Sequence, residues 1–186
     1  MGAKVAPTLG ELLDEDWAAL NRLAGTGGRR RFRHCFSPRF APVTLIRVAS
    51  SMHKSGWPRI SKLFSLANFL LFGIEVPARL TIGPGLVVAH TQGTVLGGRA
   101  IGSNVTIFHQ VTLGATLADF NYTPSLRPLI EDNVMLCAGA KILGGITVGH
   151  DSVVGANAVV LDNVAPNSLA VGVPARCMPK KASDPQ

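Results

Sequence analysis

Residues 130–160 read IEDNVMLCAGAKILGGITVGHDSVVGANAVV, and an apolar residue returns at every sixth position: Ile130, Leu136, Ile142, Val148, Val154 and Val160. A period of 3.6 would mark an amphipathic helix, and a period of two an ordinary strand. A period of six describes a short strand, a corner and another short strand. Three such sides return the chain over its own start after about 18 residues, with the sixth-position residue pointing inward on each side. Small residues such as Gly149 and Gly155 follow the apolar position, where corner dihedrals are demanding. Coils stacked about 4.8 Å apart make a parallel β-helix, a quasi-one-dimensional prism.

The rhythm extends upstream through Val76, Ile82, Val88, Val95, Ile101, Ile107 and Leu113. Two irregularities interrupt it. One extra residue sits between Val88 and Thr94. A longer insertion, TLADFNYTPSLRP, spans 116–128 and holds Arg127 and the only tyrosine, Tyr122. Irregularities in a repeat protein often serve function, so the insertion is expected to leave the prism as a lid or substrate wall; the plain alternative is a decorative loop. Before Gly73 the pattern is helical. Thr8 and Glu11 form a capping box opening a helix to about Ala24; Pro42–Lys54 and Arg59–Phe72 read as two more. The expected organisation is mainly β: a basic α-helical region over 1–72, the prism over 73–178 with its loop at 116–128, and a tail over 179–186.

Charge is uneven. Residues 1–72 hold 11 Lys and Arg against 4 Asp and Glu, whereas residues 73–186 hold 7 of each, so the whole net charge of +7 lies in the helical region. A basic, apolar arm suits an anionic partner, here a membrane surface rather than nucleic acid, or is simply a solvated face. The three cysteines, Cys35, Cys137 and Cys177, show neither metal nor disulfide spacing, which fits a reducing compartment. The start lacks the apolar core of a signal peptide, and Leu63–Phe72 is too short to span a bilayer. A cytoplasmic protein, peripheral to the inner membrane face, is the expectation.

Register gives chemistry. His90 follows Val88 by two and His109 follows Ile107 by two; Ala138 and Ala156 occupy the same slot further along. Two histidines followed by two alanines make a reactive end and then a smooth, narrow edge, which fits a thin ligand such as an acyl-pantetheine arm. A neutral imidazole suits removal of a hydroxyl proton. It needs an oriented tautomer, and Glu75, one residue ahead of Val76, is placed to reach a histidine one turn away.

These residues resemble the serine acetyltransferase family. The resemblance is carried by Phe72-Gly73-Ile74-Glu75-Val76, Ile82-Gly83-Pro84-Gly85-Leu86, His90-Thr91-Gln92-Gly93, Val111-Thr112-Leu113-Gly114, Gly139-Ala140-Lys141-Ile142-Leu143-Gly144 and Val171-Gly172-Val173-Pro174-Ala175-Arg176. It is nearest the short exopolysaccharide branch of colanic-acid-type enzymes. It implies a left-handed β-helix, acetyl-CoA as acyl donor, no metal, and a homotrimer with active sites between neighbouring prisms. His90 falls on the family's catalytic base and Glu75 on its partner carboxylate. Ala115, Ala138 and Ala156 fall on the CoA groove. Ala89 stands where serine acetyltransferases have an Asp, Leu126-Arg127 where they have Arg-His, and His109 where a Gln is common. These departures point to a sugar hydroxyl in exopolysaccharide synthesis as the acceptor, with Arg127 and His109 as substrate contacts. Serine O-acetylation for cysteine synthesis is the alternative. A zinc hydrase like the γ-type carbonic anhydrases, using His90 and His109, would need a third ligand.

Overall fold

The computed structural model describes residues 6–181; the last five residues of the expected tail lie outside the described residues. Three helices lead into the coil. Thr8 caps α1 (Leu9–Ala24) through the predicted box with Glu11, and Gly25 ends it in the left-handed conformation. A 3-10 turn at Phe32–Phe36 precedes α2 (Ala41–Lys54) and α3 (Pro58–Phe72), both opened by proline in the first turn. Gly73, with φ of 65°, ends α3 and turns the chain into the first strand.

Fifteen short strands follow: β1 (Ile74–Glu75), β2 (Thr81–Ile82), β3 (Val87–Val88), β4 (Thr94–Leu96), β5 (Ala100–Ile101), β6 (Thr106–Ile107), β7 (Thr112–Gly114), β8 (Leu129–Ile130), β9 (Met135–Leu136), β10 (Lys141–Leu143), β11 (Thr147–Val148), β12 (Val153–Val154), β13 (Val159–Val160), β14 (Ser168–Val171) and β15 (Arg176–Pro179). They form three parallel ladders: β1-β4-β7-β10-β13 on face A, β2-β5-β8-β11 on face B, and β3-β6-β9-β12-β14 on face C, where antiparallel β15 closes the end. From β1 to β13 every third strand pairs, as the period of six requires. The fold is a left-handed parallel β-helix.

The inward positions form continuous columns. Val88, Ile107, Leu136, Val154 and Ala170 are in register on face C, and Ile101, Ile130 and Val148 on face B; all are buried. Each of the valine, leucine and isoleucine side chains contributes roughly 1.5–3 kcal/mol of transfer free energy. Face A corrects one expectation. Leu96, not Val95, pairs with Leu113 and points inward. The irregularity after Val88 therefore lengthens one side by two residues, and the next side is one residue short. Gly97 permits this: a Cβ there would lie 2.8 Å from the Leu113 carbonyl oxygen.

One corner is built from residues that tolerate left-handed backbone. Gly85, Asn104, Asn133, Asp151 and Asn167 all have positive φ. The side chains of Asn104, Asn133 and Asp151 stack, with Asn104 Nδ2 donating to Asn133 Oδ1 at 3.4 Å and Asn133 Nδ2 to Asp151 Oδ1 at 3.1 Å.

The helices are locked to the first coil by a pair that periodicity did not reveal. Arg47 of α2 and Asp16 of α1 are 3% and 0% exposed and form a two-pronged bridge, 2.8 Å on each arm. Arg47 also donates to the carbonyls of Ile82 and Gly83, and Asp16 accepts from the Leu86 N–H at 2.7 Å. Burial pushes the Asp16 carboxyl above its ordinary value, even against the pull of Arg47 and the backbone donors. Among the described residues no helix is long and apolar enough to cross a membrane.

Candidate active site

The corner from face C to face A carries the ladder expected from the sequence. β3, β6, β9 and β12 are paired in register, so the residues two beyond Val88, Ile107, Leu136 and Val154 stack: His90, His109, Ala138 and Ala156. Backbone bonds continue past the strands, from Gly139 N to His109 O at 2.9 Å and from Asn157 N to Ala138 O at 2.8 Å. The two imidazoles meet edge to face, with ring centroids 5.7 Å apart and planes at 79°. His90 is exposed and makes no side-chain hydrogen bond among the described residues. His109 is half-buried, and its Nδ1 is shielded from solvent without a hydrogen-bond partner among the described residues. No third metal-binding side chain joins the two histidines among the described residues, so the zinc-hydrase reading lacks its needed ligand.

Glu75 lies on the same edge but is not bonded to either ring. It is exposed on β1, opposite Val95, two residues past Gly73, whose carbonyl accepts from the Gly93 N–H at 3.0 Å. His90 approaches that junction from the other side. Within one chain the carboxylate and the imidazole flank one corner without a hydrogen bond.

Ala115 is placed elsewhere. It follows Gly114 of β7, so it lies where face A turns toward face B, away from the corner carrying Ala138 and Ala156. A thin ligand touching all three needs two walls, and a single prism offers these residues on two different corners. Along the first of them the residues fit such a ligand: beyond His109 the ladder presents nothing larger than a methyl group, with Cys137 half-buried beside it, its thiol pushed up by burial.

Arg127 has a different task from the substrate contact expected of it. Its Nε pairs with Asp119 Oδ2 at 3.0 Å, Nη1 donates to the Gly97 carbonyl at 2.9 Å, and Nη2 donates to the Asp119 carbonyl at 2.9 Å. Its guanidinium lies 3.6 Å from the centroid of the Tyr122 ring, and that of Arg79 4.2 Å; Tyr122 Oη donates to the Gly98 carbonyl at 2.8 Å. With every donor nitrogen engaged, Arg127 staples loop 116–128 to the second coil. The loop's apolar tip remains free, with Phe120 97% exposed. Sequence reasoning missed this staple because Asp119 and Arg127 read as two separate loop residues.

Comparison with known proteins finds relatives of the same fold. Residues 127–162 match the model for the bacterial transferase hexapeptide (six repeats). The chain is 39% identical over 135 residues to a serine acetyltransferase of Helicobacter pylori, covering 72% of this chain and 77% of that one. It is 38% identical over 131 residues to a serine acetyltransferase of Bacillus subtilis, covering 70% and 59%. Across its first curated relatives the chain spans between 50% and 77% of their length. Among solved structures, a serine acetyltransferase from Vibrio cholerae superposes with a TM-score of 0.84 at 28% identity, over 96% of this chain and 69% of that one. A serine acetyltransferase in complex with CoA superposes with a TM-score of 0.80 at 26% identity, over 92% and 70%. These relatives overturn the expectation of a sugar hydroxyl in exopolysaccharide synthesis: their shared name points to serine, the alternative acceptor, despite Ala89 and Leu126-Arg127.

Proposed function

The chain belongs to the serine acetyltransferase family of hexapeptide-repeat proteins, and from that premise we propose that it transfers an acetyl group from acetyl-CoA to the side-chain hydroxyl of serine. The observation that carries the reading is the ladder of His90, His109, Ala138 and Ala156: a free imidazole at one end of a methyl-lined edge. Acetyl-CoA supplies the acetyl group as a thioester. His90 accepts the serine hydroxyl proton as that oxygen bonds to the acetyl carbon, and returns the proton to the departing thiolate, leaving O-acetylserine and free CoA. Ala138 and Ala156 give the pantetheine arm a surface without protrusions. His109 packs against His90 and restrains its ring.

A homotrimer completes the site. Ala115 would form the wall facing Ala138 and Ala156 across the cleft between two prisms. Glu75, exposed beside the corner and without a hydrogen-bond partner among the described residues, would orient a histidine there.

The test is thiol release from acetyl-CoA in the presence of serine. Wild-type protein is expected to turn over, and His90→Ala to lose about 10²–10⁴-fold in kcat, the scale of a general base. Glu75→Gln should lose less. A loss under about threefold in His90→Ala with the fold intact removes His90 from the role. No turnover with serine in an assembled wild-type protein rejects the acceptor.

A further inference from the structure

The connection from α1 to α2 exposes strong charge and aromatic surface side by side. Residues 29–39 read RRRFRHCFSPR, five arginines with Phe32 and Phe36 among them. The two phenylalanines are 78% and 70% exposed. They begin and end the 3-10 turn, and their rings pack on each other edge to face with centroids 5.3 Å apart. Arg29, Arg31, Arg33 and Arg39 are exposed and form no ion pair among the described residues. From Trp17 to Ile74 the sequence holds no Asp or Glu, so neither α2 nor α3 supplies a carboxylate to neutralise them.

This exposure is not the slack of a loose loop. His34 stacks on Trp17 of α1, with centroids 4.3 Å apart and planes at 14°, and Trp17 meets Phe40 edge to face at 5.3 Å. Trp17 Nε1 and Asn21 Nδ2 both donate to the Gly28 carbonyl, at 3.0 and 3.1 Å. Arg30 is held by Asp14 at 2.8 Å, and Cys35 is buried. The segment is fixed at both ends and in its middle, with His34 and Cys35 turned in and the two phenyl rings turned out. A partner therefore meets a surface that needs little further ordering.

We propose that Phe32 and Phe36, with Arg29, Arg31, Arg33 and Arg39, dock the protein on an anionic lipid surface. Guanidinium groups call for phosphates and phenyl rings for an apolar medium. A bilayer offers both in layers, with phosphates outside and the acyl boundary just beneath. Each arginine near such a surface is worth about fivefold in partition. A free anion such as inorganic phosphate engages the arginines and leaves the rings in water. Nucleic acid also supplies phosphates, but proteins that hold its single strands present open ring faces on which bases stack. Here the edge of one ring lies against the face of the other, so the pair forms a wedge rather than a stacking platform.

The experiment is flotation of the full chain with vesicles of phosphatidylcholine alone, and of phosphatidylcholine with about 30% phosphatidylglycerol. Wild type is expected to float with the anionic vesicles and to stay behind with the neutral ones. Phe32→Ala/Phe36→Ala keeps every charge and should weaken binding to the anionic vesicles about tenfold or more. Arg31→Glu/Arg33→Glu keeps both rings and should weaken it about a hundredfold or more. All four side chains are exposed, so both variants should keep the wild-type far-UV spectrum and thermal midpoint. In wild type, hydrogen exchange at residues 31–37 should be slowed by anionic vesicles and not by neutral ones, which tests the surface without mutation. A wild type that does not float overturns the proposal. So does a phenylalanine variant that floats like wild type, or exchange at 31–37 that ignores the lipid. So does wild type that a single-stranded oligonucleotide retains more strongly than the vesicles do, through residues the same variants remove. Thiol release from acetyl-CoA plays no part in the readout, so failure of this surface and failure of the acyl-transfer reading are seen separately.

Discussion

The prism and α3 bury opposite halves of their sequence. In the prism, an apolar residue points inward on each side, at every sixth position except where a side lengthens or shortens, and each coil satisfies its backbone through the coils beside it. In α3, Ser61, Ser65 and Asn68 turn inward beside Phe72, while Leu63, Leu66, Phe69, Leu70 and Leu71 turn out. A repeat is complete within one chain because each coil supplies the surface the next one needs. The helix follows the same rule of burying apolar surface only if the surface that covers it comes from outside. Apolar periodicity therefore reports where a surface is buried, whichever chain does the burying.

The sharpest way to break the comparison is to unlock the helices from the coil. Asp16→Asn leaves Arg47 buried beside a neutral amide and is expected to destabilise the fold by about 3–5 kcal/mol in urea unfolding. Replacing both, Asp16→Leu with Arg47→Met, should recover much of that loss. If Asp16→Asn costs under about 1 kcal/mol, the helices are not held by this pair and their placement comes from apolar contact alone.

Next in size is the same chemical change made in both regions. Ile142→Ala removes a fully buried side chain from the face A column and should cost about 2–5 kcal/mol. Leu66→Ala, on the outward face of α3, should cost well under about 1 kcal/mol in the dissociated chain. In the assembled protein it should cost more. Denaturation midpoints at low and high protein concentration separate the two. Equal costs at both concentrations would erase the distinction between the two regions.

A smaller effect is expected in the loop. The Asp119 side chain is nearly buried, which on its own would raise its pKa. Thr123 N–H and hydroxyl and the Arg127 guanidinium outweigh that and hold the carboxyl below its ordinary 3.8. The staple's contribution is therefore present at neutral pH and fades as pH falls through that depressed value. Proteolysis at Phe120 should change little between pH 7 and pH 5, and Arg127→Met should make it fast at both. Cleavage already rapid in wild type at pH 7 would show that the staple does not hold the loop.

The sequence disclosed the parts that repetition controls. Once six residues make a side, register follows, and with it the stacking of His90, His109, Ala138 and Ala156. It hid what depends on single long-range partners. Asp16 and Arg47 are 31 residues apart and share no period. Arg127 reads as an available cation because nothing in the pattern shows Asp119 folding back on it. Leu96 was displaced from notice by Val95, since a period carries no information about a corner that lengthens while its neighbour shortens. Glu75 stands exposed beside the corner, but the spacing of fifteen residues does not decide whether it meets a histidine within one chain.

The least costly substitution distinguishes the two faces of α3 most directly. Ser61 Oγ is buried without a partner among the described residues, so the hydroxyl carries a desolvation cost and returns no hydrogen bond. Alanine removes that cost and is also the better helix former. Ser61→Ala should therefore raise stability by up to about 1 kcal/mol, whereas Asn68→Ala should lower it by about 1 kcal/mol or more, because the bond to the Pro42 carbonyl is lost. If the inward side of α3 were the one that holds the helix through its polar groups, both changes would destabilise. A gain at Ser61 with a loss at Asn68 means that one hydrogen bond and the outward leucines position this helix, and that its serine is tolerated there rather than required.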